Sequence, residues 1–214
     1  MRFQSAPAVS RLALLALLAW LFPLSVSATV IESSASSFTG DPLTVWVEID
    51  DESDPGNLVI TLEVEEGGTT GDLRGFFAHV ADESLLGGLT ISGDNVSGSS
   101  FAANEITRVG GGNNLNGGGS TCPCDLGVEF GAPGIGKDDI QSVTFTLSHN
   151  SESLDASFFD NEEFGVRATS VGEEDRDGSS KLVGVVPQPS TALLMMLGLS
   201  GLASAGSRVR RNAP

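Results

Sequence analysis

The residues with the clearest chemical potential in this 214-residue chain are two cysteines separated by a single proline, Cys122-Pro123-Cys124. Two thiolates could hold zinc if two further ligands were near, but the only histidines, His79 and His149, lie far away in the sequence. A disulfide across one residue would close a small ring that the proline stiffens, so such a bond would be strained and easily reduced. The sequence therefore predicts two thiols or a strained local disulfide in a glycine-rich loop, with a redox or metal role as the alternative.

Sequence motifs of the common catalytic sites are absent. Neither histidine belongs to an H-E-x-x-H zinc motif, no G-x-S-x-G nucleophile turn occurs, and the glycine-rich stretch 110–119 matches neither phosphate-binding pattern. Acidic residues are so frequent that their presence selects no pair, whereas glycoside hydrolysis needs two carboxylates that face each other across a cleft. We therefore expect a protein that is not an enzyme, with a polysaccharide-active hydrolase as the least favoured alternative.

Carboxylates in turn-rich segments are candidate ligands for calcium, which prefers several hard oxygen donors. Their spacing does not match an EF-hand loop, because acids occupy the first, second and fourth places of DESDPGN. Loops that are distant in sequence can still hold calcium together at the end of a β-sandwich. We expect no required cofactor and keep calcium as the candidate ion. The candidate ligands are Asp50, Asp51, Glu52, Asp54, Asp138 and Asp139.

The distribution of charge excludes some classes of partner. All 28 acidic residues lie between Thr29 and Lys181, together with only six of the 11 basic residues, so this part has a net charge of about −22. A surface of this sign repels phosphate backbones and anionic lipids, so we expect no nucleic-acid partner. It favours cations, or it simply keeps the protein soluble.

Apolar residues alternate with polar ones along short segments, which is the pattern of half-buried antiparallel strands. Segments 43–50 and 58–65 flank the turn-rich DDESDPGN and predict a hairpin with a long loop. A short helix near 82–86 or 138–140 is compatible with the pattern, but no helical periodicity lasts three turns. The sequence predicts an all-β, antiparallel β-sandwich, of jelly-roll or immunoglobulin-like type, over residues 29–181. The further expected strands are 75–80, 89–92, 128–130, 141–147 and 164–170.

Three large side chains in these segments lead to specific expectations. Arg74 and Arg167 lie inside apolar segments, where we expect each to pair with a buried carboxylate. Trp46 falls on the strand face opposite to Val45 and Val47, which should be the solvated face. An aromatic ring there could stack on a sugar, so Trp46 is the candidate contact for an extracellular polysaccharide.

The N-terminal segment, residues 1–28, has the three parts of a secretory signal peptide. Two arginines flank a short polar stretch, residues 12–24 are apolar, and Val26-Ser27-Ala28 is a small-residue cleavage site. The apolar run is shorter than the roughly 20 residues of a bilayer span and a proline interrupts its end, so a membrane helix is the weaker alternative. We expect signal peptidase to cleave after Ala28.

The C-terminal segment begins with a linker, residues 182–190, and continues as an uncharged stretch that can form one helix over residues 191–207. Such a helix would be about 25 Å long, close to the roughly 30 Å hydrocarbon core of a bilayer. By the positive-inside rule the basic tail, residues 208–214, would stay in the cytoplasm. Its arginines are Arg208, Arg210 and Arg211.

The pentapeptide Val186-Pro187-Gln188-Pro189-Ser190 precedes this helix. The order of motif, apolar helix and terminal arginines resembles the PEP-CTERM sorting signal of Gram-negative bacteria, whose usual form is V-P-E-P-[ST]. Gln188 stands where glutamate is usual; the change removes a charge and bears on cleavage rather than on anchoring. The resemblance implies that an exosortase, a membrane-embedded cysteine protease-like transpeptidase, reads the motif, with the three arginines as the retention cluster. An ordinary single-pass anchor is the alternative.

The signal peptide predicts export, and the resemblance implies that the membrane crossed is the inner membrane of a Gram-negative bacterium. The resemblance also implies that the protein is transiently anchored and then released to the cell surface or the extracellular matrix, in association with exopolysaccharide or biofilm. A calcium- or carbohydrate-binding module of the same fold is the alternative function.

Overall fold

The computed structural model describes residues 29–118, 122–132 and 138–188, and within these the chain is all-β. The predicted signal peptide with its cleavage site at Ala28, the membrane helix over 191–207 and the basic tail lie outside the described residues. No helix among the residues described has the length and apolar character needed to cross a membrane. The strands are β1 (Val30–Gly40), β2 (Thr44–Asp50), β3 (Leu58–Val64), β4 (Thr70–Ala78), β5 (Leu89–Ser92), β6 (Val96–Ile106), β7 (Cys124–Phe130), β8 (Ser142–His149), β9 (Glu163–Gly172) and β10 (Gly178–Val185), with 3-10 helices at Glu83–Gly88 and Ala156–Phe159.

The strands form one antiparallel sheet in the order β5-β8-β3-β2-β1-β10-β9-β4-β7-β6. The edge strands β5 and β6 follow each other through a short turn and lie close together, so the sheet is nearly closed into a barrel. The prediction of an all-β antiparallel fold is confirmed. The predicted sandwich has two separate sheets, whereas the structure has one continuous sheet. Strand β1 joins its two halves, because it pairs with β2 on one side and with β10 on the other.

Three strands, β2, β3 and β8, form what we call the open half, since only one of its faces is covered. Buried and more exposed residues alternate along each of them. The antiparallel register places Val47 opposite Leu62 and Ile60 opposite Phe145, so buried residues of neighbouring strands share one face. The predicted hairpin of β2 and β3 is confirmed, because strict alternation identifies a strand with one solvated face.

Strands β4, β7 and β9 form what we call the covered half, where most residues are buried. Segment 106–118 covers the outer face of these strands and packs Ile106, Val109 and Leu115 against Phe77 in a second apolar cluster. The register places Phe77 between two glycines, Gly127 of β7 and Gly165 of β9. A Cβ at Gly127 would lie 2.6 Å from Val109 Cγ1, so the missing side chain makes room for the covering segment.

Phenylalanine rings from both halves meet in the interior. Phe145 of β8 lies 5.8 Å from Phe76 of β4 and 5.6 Å from Phe130 of β7, measured between ring centroids. All three side chains are buried. Burying each contributes roughly 1.5–3 kcal/mol, so this cluster holds the two halves of the sheet against each other.

Several predicted elements differ from the structure. Strands β1, β6 and β10 were not expected, because their serine- and glycine-rich sequences lack a strong apolar period. A short helix near 82–86, with which the sequence is compatible, is present as the 3-10 helix Glu83–Gly88, and Asp82 accepts a hydrogen bond from the Ser84 amide at its start. The alternative helix at 138–140 does not form, since Asp139 takes a positive φ of 49°.

The folded part also extends beyond the predicted boundary at Lys181. The linker was expected to begin at Leu182, but β10 continues to Val185 through hydrogen bonds with β1 and β9. Val186 is buried, its amide donates to the Glu162 carbonyl, and its carbonyl accepts from the Asn161 amide. Leu182 is buried and Val183 is half-buried, so the extension places its side chains on the two faces of the sheet in turn.

Candidate functional site

His79, Cys122 and Cys124 come together at one end of the covered half. β4 and β7 pair with Ala78 opposite Leu126, so His79, which follows β4, lies beside the start of β7. The ligand atoms of the three residues all lie within 4.8 Å of one another. A separation of 43 residues between His79 and Cys122 hides this contact in the sequence, and only the strand pairing reveals it.

The imidazole of His79 is oriented by Asp125. Its Nδ1 lies 3.3 Å from Asp125 Oδ2, and the Asp125 side chain is almost fully buried. Backbone amides hold this carboxylate in place: Val80 donates to Oδ2 at 2.9 Å and Asn104 donates to Oδ1 at 2.6 Å. A carboxylate beside Nδ1 favours the tautomer with its proton on that nitrogen, which leaves Nε2 free to exchange a proton. Nε2 lies 4.0 Å from Cys122 Sγ.

The two cysteines are joined in a disulfide, with their Cα atoms 5.2 Å apart. This outcome agrees with one of the two interpretations that the sequence left open. The two sulfurs differ in environment, because Cys122 is half-buried whereas Cys124 is only 1% exposed and packs in the second apolar cluster. The structure therefore makes one of the two sulfurs the accessible one.

A cavity of about 280 Å³ opens beside the accessible sulfur. Its polar side chains are His79 and Glu163, and its other walls are largely apolar. Leu115 of the covering segment forms one of these walls, so the cavity depends on the layer that lies over β9. The apolar and cysteine residues that line it include Phe38, Leu115, Cys122, Pro123 and Val183.

The first group of predicted calcium ligands makes hydrogen bonds with its own loop and its neighbours. Asp50 accepts from the Glu52 and Ser53 amides, and Asp54 accepts from the side chain of Asn57. Asp51 is buried, and its carboxylate accepts from the amides of Thr29 and Ala156. Among the described residues no three carboxylates come as close together as the His79 group does. Calcium binding at this loop stays a prediction.

The second group, Asp138 and Asp139, lies beside two arginines. Asp138 Oδ2 is 3.5 Å from Arg74 Nη1, and Asp139 Oδ1 is 2.5 Å from Arg176 Nη2. The hydrogen bond from Arg176 lowers the pKa of Asp139. These carboxylates are therefore paired with cations of the chain itself.

The expectation for Arg74 is confirmed and that for Arg167 is wrong. Arg74 faces the fully buried Asp72 at 3.9 Å, and burial raises the pKa of that carboxyl. Arg167 instead donates to the backbone carbonyls of Ala168 and Ser180, both at 2.9 Å. Burial lowers the pKa of Arg167, and the carbonyl oxygens satisfy its donors at the strand surface without a carboxylate.

The predicted sorting motif is only partly described. Val186 is buried at the end of the sheet, whereas Pro187 and Gln188 are exposed. Pro189, Ser190 and the arginine cluster lie outside the described residues. Trp46 lies on the outer face of the open half, as predicted, and is half-buried between the neighbouring strands β1 and β3.

Comparisons with known proteins add no functional assignment to this geometry. The chain has no significant match among protein-family models, curated proteins or solved structures.

Proposed function

We propose that the chain is an exported cell-surface or matrix protein whose C-terminal segment is a sorting signal read by an exosortase-type transpeptidase. A signal peptide, residues 1–28, directs export, and the helix over residues 191–207 holds the protein in the inner membrane until processing. The folded domain then acts as a non-enzymatic, acidic component associated with exopolysaccharide or biofilm.

The observation that carries this proposal is the position of residues 186–188 at the edge of the sheet. Val186 follows the last strand, is buried and is hydrogen-bonded through its backbone to Asn161 and Glu162, whereas Pro187 and Gln188 are exposed directly after it. The motif V-P-Q-P-S therefore begins at a buried residue at the edge of the folded domain, and its next two residues are open to a processing enzyme. Exposed motif residues directly after a compact domain are what a cleaved sorting signal requires.

The same position limits how far the domain can stand from the bilayer. Residues 187–190 separate Val186 from the proposed helix, and an extended chain of this length spans about 14 Å. The acidic domain would be held close to the headgroups of the membrane, from which its negative charge repels it. Cleavage relieves this repulsion and releases the domain to the surface.

The test is the intact mass of the protein from its native host, with membrane and medium fractions measured separately. We expect a mature form that begins at Thr29 and ends near Pro187–Ser190. Replacing both Pro187 and Pro189 with alanine should leave the chain uncleaved in the membrane fraction. The matched control is Gln188→Glu, which restores the usual residue of the motif and should be processed at least as well. A wild-type protein that ends at Pro214 and stays in the membrane would overturn the sorting proposal in favour of an ordinary anchor.

A further inference from the structure

We propose that Cys122 and Cys124 form a thiol–disulfide exchange centre that oxidises uncharged or cationic thiols, with His79 as the proton carrier at Cys122. The centre lies on the outer face of the covered half and uses none of the residues of the sorting signal. Its test is therefore independent of whether the tail is cleaved.

The unequal environments of the two sulfurs give the exchange a direction. Attack of a thiolate on a disulfide requires access to one sulfur and a leaving group at the other. Cys122 lines the cavity, whereas Cys124 is 1% exposed beneath the covering segment. An incoming thiol therefore reaches Cys122, and Cys124 is the leaving group; Cys124 resolves the mixed disulfide at Cys122 only in the reverse reaction, when an external disulfide reoxidises the pair.

His79 lies beside Cys122, the sulfur at which a thiol proton has to be removed or returned during exchange. Its Nε2 is 4.0 Å from Cys122 Sγ and its Nδ1 is 3.3 Å from the buried Asp125 carboxylate. The Asp125 carboxylate fixes the position of the ring, so Nε2 is placed to take up and return a thiol proton at Cys122. The acidic and titratable groups that face His79 are Asp125 of β7, Glu163 at the start of β9 and the cysteine pair itself.

The reaction balances without an external cofactor. A substrate thiolate attacks Cys122 Sγ, a bond forms between these sulfurs, and the bond to Cys124 breaks with its electron pair on Cys124. A second substrate thiolate attacks the substrate sulfur of this mixed disulfide, and Cys122 leaves as a thiolate. Two substrate thiols become one disulfide, the protein disulfide gains two electrons, and the two thiol protons pass to the cysteine pair through His79. An external disulfide reverses the reaction.

Charge selects among thiols. The part of the chain between Thr29 and Lys181 has a net charge of about −22, and the acidic residue Glu163 lines the cavity. Anionic thiols are repelled from such a site, whereas cationic thiols are concentrated near it. The apolar walls suit a cysteine side chain with an apolar neighbour, as in an uncharged or basic peptide.

The same three residues could bind a soft metal ion after reduction, because two thiolates and an imidazole are ligands for zinc or copper(I). The observed state favours exchange, since the sulfurs are already joined and an exported chain meets oxidising conditions. Metal binding is therefore one of the outcomes that the experiment distinguishes.

The experiment measures the rate at which the full-length oxidised protein is reduced by cysteamine and by 3-mercaptopropionate. Free thiols are trapped with N-ethylmaleimide and counted by intact mass, and rates are corrected for the thiolate fraction of each reagent. We expect cysteamine to react at least about tenfold faster, and added salt to narrow the difference. His79→Gln should slow the reaction about 100-fold at neutral pH and make its rate rise more steeply with pH. The control His149→Gln should leave the rate unchanged.

A pair of cysteine variants tests the direction of attack without depending on the histidine. Cys124→Ser should form a mixed disulfide with cystamine at Cys122, whereas Cys122→Ser should react far more slowly at the buried Cys124. Equal rates in both variants, or a wild-type rate unaffected by His79→Gln, would overturn the proposal. So would one equivalent of zinc held tightly by the reduced protein in a form that no longer reacts with cystamine, because this result assigns the residues to a metal site.

Discussion

The open half and the covered half of the sheet are built from the same kind of antiparallel pairing, yet they use their outer faces differently. In the open half the outward side chains are partly exposed and make small cross-strand contacts, such as the hydrogen bond between the Thr61 and Thr144 hydroxyls. In the covered half segment 106–118 lies on the outer face, and the strands beneath it are buried on both sides.

The difference shows how a cavity arises on a small β-fold. A single outer face offers no enclosure, whereas a face with a second layer can exclude water from a polar group that is fixed by backbone amides, as Asp125 is. The glycines at positions 127 and 165 are the local cause, because they lower the outer surface enough for the covering segment to pack. The proposed exchange centre lies at the edge of this second layer.

The largest expected effect tests what joins the two halves. Phe76→Ala removes a fully buried ring that contacts Phe145 and Phe164, and should lower the free energy of unfolding by about 3–5 kcal/mol. Urea denaturation measures this loss. Phe38→Ala, at a side chain that is 40% exposed, is the control and should cost far less. Similar losses for the two variants would show that the ring cluster does not hold the halves together.

The second largest expected effect compares a methyl group added beneath segment 106–118 with one added at an open surface. Gly127→Ala places a methyl group against Val109, Ile106 and Phe77, and overpacking of this kind should cost about 1–3 kcal/mol. Gly67→Ala is the matched control, since a Cβ there meets nothing within 4 Å. Thermal unfolding of both variants checks the prediction. A neutral Gly127→Ala variant would mean that segment 106–118 moves away at little cost and does not constrain the site.

The third prediction compares how a buried carboxyl, Asp72, and an exposed one, Asp139, make stability depend on pH. Burial raises the pKa of Asp72 above its ordinary value of 3.8, so the folded state binds more protons and stability falls as pH rises from 3.8 through the folded pKa. Asp72→Asn does not titrate, and it should therefore gain stability relative to the wild type as pH increases over this window. Urea denaturation at a series of pH values measures the difference.

The control for this trend is Asp139→Asn. The hydrogen bond from Arg176 lowers the pKa of Asp139, so its contribution is present above 3.8 and is lost as pH falls through the folded pKa. The free energy of unfolding of the wild type should therefore rise relative to that of this variant as pH increases. The change should be smaller than the one for Asp72 because the pair with Arg176 is exposed. Trends of the same sign in both variants would contradict the assignment.

The smallest expected effect lies on the open half. Thr61→Ala removes one partner of the exposed hydroxyl pair with Thr144 and should cost about 0.2–1 kcal/mol. Urea denaturation of Thr61→Ala, Thr144→Ala and the double variant completes a double-mutant cycle, which isolates the interaction energy of the two hydroxyls. A cost as large as that of Gly127→Ala would erase the distinction between the two halves.

Elements with a regular apolar period could be predicted from the sequence. Strands β2, β3 and β5 lie close to the expected segments, whereas β7 begins at Cys124, four residues before the expected start at Val128. Both faces of β7 are buried, so its sequence does not alternate between apolar and polar residues and its start cannot be read from such a pattern. Strand β10 shows the opposite case, because its last four residues, 182–185, were expected to be a linker and gain their structure from β1 and β9 on either side.

The sequence by itself determined the all-β antiparallel class, the hairpin of β2 and β3 and the acidic character of the domain, because alternation and composition are local properties. It also identified the cysteine pair as chemically interesting, and the motifs at both ends on which the sorting proposal rests. Only the tertiary structure decided that His79 and Asp125 stand beside that pair, that one sulfur is open and the other buried, and that Val186 belongs to the fold. These facts depend on strand register and on a covering layer, which bring together residues that no local pattern connects.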